Sequence, residues 1–156
     1  MAALSDFAEN KIIDFLFRGQ ALGITGASAA AGTGPTNIYV ALYTANPSDS
    51  TAGTEVTGGS YARVTVASSL ANWAGTQGTG TTTASSGTTG TTSNNNAITF
   101  PAPTANWGVI TGAALLDASS GGNILAYGAL TVNKTVNNGD AAPSFPAGSL
   151  TFQLDN

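Results

Sequence analysis

Cysteine and histidine are both absent from the 156 residues, and charged side chains are scarce. Without thiols or imidazoles the chain can form no disulfide, no zinc site of the usual kind and no Ser-His or Cys-His catalytic pair. Four basic residues against eight acidic ones leave no cluster that could neutralise several phosphates. We therefore expect neither a cofactor nor a nucleic-acid partner.

Carboxylates are the remaining candidates for chemistry, because glycoside hydrolases use them in pairs. Asp49 and Glu55 flank a Thr/Gly turn, whereas Asp117 and Asp140 fall in predicted loops. These positions favour solvated turn residues over catalysis, and a glycoside-cleaving domain is kept as a third alternative. The residues around Asp49 and those at 137–140 could offer oxygen ligands to calcium, but neither stretch has the full ligand spacing of a recognised calcium-binding loop. We predict no catalytic residues and no metal site.

The N-terminal apolar stretch does not resemble a membrane segment or a secretory leader. Residues 12–17 are interrupted by Asp14 and fall far short of the roughly 20 residues that a membrane span needs. Asp6 and Glu9 stand where a signal peptide would carry basic residues. We expect no membrane partner and a chain that is made and kept soluble in the cytoplasm.

The first 19 residues predict an amphipathic helix from about residue 5 to residue 18. Ser5 is suited to the N-cap position, and Arg18 lies near the negative end of the helix dipole. Gly19 can adopt the left-handed conformation that ends a helix. The helix is predicted to be either an end cap of the fold or an arm that docks on another subunit. Its apolar residues recur at spacings of three and four, and the candidate docking residues among them are Leu4, Phe7, Ile12, Phe15 and Leu16.

Beyond the helix, 20–36 is a Gly/Ala/Ser/Thr-rich connector, and 37–156 is predicted to be a β domain. Apolar residues alternate with period two in short runs, separated by Gly, Pro and Asn turns. The predicted strands are 37–43, 61–67, 97–100, 107–116, 123–132 and 149–154. Residues 76–96 hold only Thr, Gly, Ser, Ala, Gln and Asn, which predicts a long exposed loop.

Strand follows strand without intervening helices, which indicates a mainly β fold. We predict an antiparallel β-sandwich or jelly-roll-like domain with one N-terminal amphipathic helix. Trp73, Trp107 and Tyr61 are candidates for an aromatic surface that binds sugar, but core and interface packing is the favoured interpretation.

Six segments together resemble a family of small tailed-bacteriophage virion proteins, whose members are often labelled tail fibre or structural protein. The resemblance covers most of the chain apart from the connector and the Thr/Gly loop, and it implies a place in the virion without catalytic residues to transfer. The segments are LSDFAENKIIDFLFRGQ (4–20), IYVALYTANPSD (38–49), EVTGGSYARVTV (55–66), NAITFPAPTANWGVITGAALLD (96–117), NILAYGALTVNKTVNNGD (123–140) and FPAGSLTFQLD (145–155).

Two places in the particle fit this resemblance. The first expectation is a capsid decoration, or cement, protein on the outside of the phage head, with the major capsid protein and neighbouring copies of itself as partners. The alternative is a tail or tail-fibre component that contributes to host attachment, with tail proteins as partners and host-surface carbohydrate as a conceivable ligand. Both place the protein in the virion, assembled in the host cytoplasm, and virion symmetry favours a homodimer or homotrimer.

Overall fold

The computed structural model describes residues 4–24 and 34–154. The protein is mainly β, with antiparallel pairing and one helix near the N-terminus, as the sequence predicts. The strands form a five-stranded sheet and two two-stranded sheets. The elements are α1 (Asp6–Arg18), β1 (Asn37–Ala45), β2 (Thr54–Glu55), β3 (Val64–Ala67), β4 (Thr91–Ser93), β5 (Ile98–Thr99), β6 (Gly108–Leu116), β7 (Ile124–Val136), β8 (Ser144–Phe145) and β9 (Thr151–Gln153).

The chain divides into two compact units, each assembled from separate stretches of sequence. Unit 1 comprises the described parts of Met1–Asn37, Ala67–Ile98 and Phe145–Asn156. Unit 2 comprises Ile38–Val66 and Thr99–Ser144.

Helix α1 of unit 1 has the predicted caps at both ends. The Ser5 hydroxyl accepts a hydrogen bond from the amide of Ala8, which satisfies one of the free N–H groups of the first turn. Gly19 ends the helix in the left-handed conformation with φ of 66°, and the amide of Gln20 donates to the carbonyl of Asp14. The predicted limits of the helix are therefore confirmed.

The core of unit 1 is built around aromatic rings. Phe17 lies between Trp73, with ring centroids 5.3 Å apart, and Phe152 of β9, at 4.9 Å. Ile13, Phe17 and Trp73 are fully or almost fully buried. β9 pairs antiparallel with β4, and the amide of Ala74, next to Trp73, donates to the carbonyl of Ser93 in β4.

The five-stranded sheet lies in unit 2 and is built on β1. β1 pairs antiparallel with β6, Tyr43 facing Gly112, and β6 pairs antiparallel with β7. β2 and β3 both pair with β1 on its other side. Residues 40–43 of β1 are all buried, as expected for a strand with both faces covered. One face carries the cluster of Ala41, Tyr43, Ala114 and Leu116.

β7 ends the order of strands and has an irregular register with β6. Ala126 to Ala129 face Leu115 to Gly112 without interruption. Beyond them the register shifts, so that Thr111 alone lies opposite 130–133, which forms a bulge. The strand is predicted to end at 132, but it continues to Val136.

Residues 76–96 are mostly exposed between 77 and 89, in line with their composition, but buried residues lie near both ends of the segment. The segment contains β4, and four of its polar side chains are buried. They can be buried because each forms hydrogen bonds inside unit 1, whereas an apolar loop would need hydrophobic contacts. The four are Thr76, Thr92, Ser93 and Asn94. Residues 25–33 of the predicted connector and 155–156 lie outside the described residues.

Within the described ranges, no helix is long and apolar enough to cross a membrane.

Candidate interaction surfaces

The predicted apolar stripe of α1 is exposed only at its N-terminal end. Leu4 and Phe7 expose 49% and 57% of their surface, and Lys11 Nζ lies 5.8 Å from the centroid of the Phe7 ring. The other three predicted docking residues, Ile12, Phe15 and Leu16, are half-buried. Leu4, just before the N-cap, and Phe7, in the first turn of the helix, therefore present two large apolar side chains to solvent, and this pair is the candidate docking surface.

The buried face of α1 is partly charged. Arg18 is fully buried, and its guanidinium lies 2.6 Å from the carboxylate of Asp14, one helical turn earlier. It also donates to the carbonyls of Trp73, Thr81 and Thr83. A guanidinium supplies five N–H donors, so one side chain can bind this many acceptors. Arg18 thereby fixes the Thr/Gly segment to the helix.

Asp14 and Asn10 hold the same segment from the helix side. The Asp14 carboxylate accepts from the amide of Ser85 at 2.9 Å and from its hydroxyl at 2.6 Å. The Asn10 amide group donates to the carbonyl of Gly87, and its oxygen accepts from the hydroxyl of Thr76. We name the set Asn10, Asp14 and Arg18 the polar clamp of α1. It satisfies backbone groups of a segment that has no large apolar side chain to bury.

Asn94 organises the other end of this segment. Its side chain is fully buried and donates to the carbonyls of Asn96 and Pro146, each at 2.8 Å. Its oxygen accepts from the amide of Leu150 at 2.9 Å. One asparagine thus joins the segment after β4 to the turn before β9.

In unit 2, Arg63 connects β2 to the loop between β6 and β7. Its guanidinium forms a two-point ion pair with Glu55, at 2.8 and 2.7 Å, which raises the pKa of Arg63. It also donates to the carbonyls of Ala118 and Gly121 at 2.6 and 2.8 Å. Tyr61 donates to Glu55 and accepts from the amide of Leu42, and burial is the largest cause of its raised pKa.

The other acidic residues considered for catalysis serve turns. Asp117 accepts hydrogen bonds from the side chain and the backbone amide of Asn123, and these bonds lower the pKa of its carboxyl. Asp140 accepts from the amide of Asn137 across a tight turn. Together with the Glu55 ion pair, these bonds give the carboxylates a structural use, and within residues 4–24 and 34–154 no group of three potential ligands is placed to hold a metal.

Asp49 borders an open groove in unit 2 of about 570 Å³. The Tyr127 hydroxyl donates to Asp49 at 2.6 Å, and this bond raises the pKa of Tyr127. The groove lies between the turn at 48–52 and the start of β7, and polar atoms form most of its lining. These contacts do not indicate a particular class of ligand for the groove.

The three aromatic candidates are packed rather than displayed together. Trp73 and Trp107 are 1% and 5% exposed. Trp107 donates from its ring to the carbonyl of Gly59 at 2.9 Å and meets the edge of the Tyr61 ring at a centroid distance of 5.3 Å. Trp73 belongs to unit 1, whereas Tyr61 and Trp107 belong to unit 2. The buried indoles fit the packing interpretation.

The sequence alone predicted neither the polar clamp nor the position of β7 as the last strand of its sheet. Arg18 had a sufficient explanation in the helix dipole, and its acceptors lie more than fifty residues away in the chain. The sequence did contain a signal for such a contact. Residues 76–96 have many backbone carbonyls and no charged side chain to donate to them, and Arg18 is one of only two arginines that could do so, the other being Arg63. The edge position of β7 depends on strand order, which local alternation does not reveal.

Comparison with known proteins identifies the family. A family model described as Podophage GP4 fiber I protein gp80 matches residues 3–153. A search of the curated proteins finds no match to this chain. Because the family match spans both units, the chain belongs to this podophage fibre family and is a structural component of a tailed-phage virion.

Proposed function

We propose that the protein is a tail-fibre component that attaches to the podophage particle through the outer face of α1. The observation that carries the proposal is the family match over residues 3–153, since the family is described as a fibre protein. The sequence alone favoured capsid decoration, and the family description supports the alternative. The protein acts through contacts with other virion proteins and catalyses no reaction.

The attachment surface is argued from exposure and position. Leu4 and Phe7 are exposed apolar side chains at the start of a helix whose opposite face is fastened to unit 1 by the polar clamp. A helix held in this way presents these two side chains without further ordering, so docking costs little conformational entropy. An apolar groove on a neighbouring tail protein is the complementary surface.

The contribution of this pair can be estimated from the exposed area. Full burial of a large apolar side chain contributes roughly 1.5 to 3 kcal/mol. About half of each side chain is still exposed, so docking adds roughly 1 kcal/mol for each residue and about 2 kcal/mol for the pair. That corresponds to a change of about 30-fold in the dissociation constant.

The test is incorporation into particles. Phage that lack the gene are complemented with the wild-type chain, with Leu4→Ser plus Phe7→Ser, or with Ile24→Ser as a control at another exposed apolar residue. We expect the double variant to fold normally and to be depleted from purified particles, while the control is incorporated. Normal incorporation of the folded double variant would refute attachment through α1.

Capsid decoration is the second candidate. The scarcity of charge and the absence of a long sequence repeat, which fibre shafts often contain, favour it. Copy number separates the two functions: decoration requires a number that follows the capsid lattice, whereas a fibre requires a number that follows the few tail positions. The buried positions of Trp73 and Trp107 give no support to a sugar-binding aromatic platform.

A further inference from the structure

The outer edge of β7 is a surface that can accept another strand. β7 is the last strand in the order of the five-stranded sheet, and among the described residues β6 is the strand that pairs with it. An edge strand presents unpaired N–H and C=O groups, which are a template for pairing with another chain. Most of β7 is exposed, including Tyr127 and Val132 at 44% and 79%.

Several devices that usually block such an edge are missing here. From Ile124 to Asn133 the strand has no proline and no charged residue. A side chain added at Gly128 would meet no atom within 4 Å, so the sheet face at the centre of the strand is open and leaves room for the side chains of an added strand. The bulge at 130–133 does protect part of the edge, but it leaves Ala126 to Ala129 in continuous register.

The charges at the two ends of β7 select the occupant of this edge. Lys134, at one end, is exposed and has no ion pair within the described part of the chain. Asp117, at the other end, is exposed and precedes the loop that leads into the strand. An antiparallel copy of β7 brings Lys134 of each chain towards the Asp117 loop of the other, whereas a parallel copy brings like charges together.

We propose that β7 pairs antiparallel with β7 of a second copy of this chain, about a two-fold axis at Gly128. Such an interface is isologous, because the same surface serves both copies and every contact occurs twice. Each Gly128 then lies opposite its counterpart, and the two Tyr127 side chains are diagonal neighbours, a distance that aromatic side chains can span. The short regular segment makes the association weak in free solution. This inference is independent of where in the particle the protein attaches.

Sedimentation velocity of the full chain at low salt tests the orientation. We expect reversible dimers that Lys134→Glu weakens by about tenfold, because two favourable charge contacts become repulsive. Lys11→Glu is the matched control: it makes the same charge change at the only other lysine, which lies on α1. Equal weakening by the two variants, or a monomer at every concentration, overturns the proposal.

Cross-linking tests the location, because the chain has no cysteine and any disulfide must join two copies. Gly128→Cys places a thiol in the open space on the sheet face at the centre of β7. Thr82→Cys is the control, with a thiol at an exposed residue of unit 1. We expect Gly128→Cys to form covalent dimers in mild oxidant much faster than Thr82→Cys. Equal rates overturn pairing at this edge, whatever the result of the particle-incorporation assay.

Discussion

Replacing Arg18 by methionine is expected to be strongly destabilising. The side chain is fully buried, and its removal leaves the carboxylate of Asp14 without its cationic partner and the carbonyls of Trp73 and Thr83 without a donor. Breaking a buried ion pair by removing one partner costs about 3 to 5 kcal/mol. Domains are stable by only about 5 to 15 kcal/mol, so this change removes a large part of the stability.

The assay is urea unfolding followed by far-UV circular dichroism and by tryptophan fluorescence. Trp107→Phe provides a background in which Trp73 alone reports on unit 1. For a chain of this size, 3 to 5 kcal/mol corresponds to a fall in melting temperature of roughly 6 to 20 °C. We also expect the amides of 81–85 to lose protection from hydrogen exchange, because the clamp no longer holds that segment.

Two companion variants separate the ion pair from mere loss of volume. Lys11→Met, at a partly exposed position of the same helix, should change stability by no more than about 0.5 kcal/mol. The double change Arg18→Met with Asp14→Leu should be less destabilised than Arg18→Met alone, because no buried charge is left unpaired. A loss below about 1 kcal/mol for Arg18→Met would refute the account of the clamp.

Three further changes test other parts of the structure. Asn94→Ala should cost about 1 to 3 kcal/mol in urea unfolding, because it removes three hydrogen bonds of a buried amide; a neutral result would contradict the role given to that residue. Gly19→Ala should cost at least about 1 to 2 kcal/mol of unfolding free energy, because φ is 66° and a Cβ would lie 2.6 Å from the carbonyl oxygen of Ser68. An unchanged melting temperature would argue against this geometry. The carboxyl of Asp117 should titrate in NMR below its ordinary pKa of 3.8, and its contribution to stability should be present above that value and lost as the pH falls through the lower, folded pKa. Asn123→Ala should move the midpoint of the titration back towards 3.8. A wild-type midpoint at or above 3.8 would contradict the hydrogen bonds described here.

The helix and the main strands could be predicted because their signals are local. Ser5 and Gly19 act on the turn of helix next to them, and the alternation in 38–43 and 107–116 reflects burial on a pleated strand. The boundaries were less certain where a strand is irregular. β7 continues four residues beyond its predicted end, because the bulge at 130–133 interrupts the alternation that would have shown its length.

The hydrogen bonds that hold residues 76–96 could not be predicted, because their partners are distant in the sequence. Composition shows that residues 76–96 have no large apolar group, and such segments are usually exposed. In the structure Arg18, Asp14 and Asn10 supply hydrogen bonds that hold Thr83, Ser85 and Gly87, across sixty residues or more. The buried face of the same helix therefore combines apolar side chains, Ile13 and Phe17, with the charged pair Asp14 and Arg18.

A density map of the intact virion tests the central claim most directly. Attachment as a fibre component through α1 predicts the chain at the tail, with Leu4 and Phe7 covered by a neighbouring virion protein and the rest of unit 1 packed as described here. A map that places the chain on the capsid lattice, or that leaves both side chains facing solvent in the assembled particle, would contradict it.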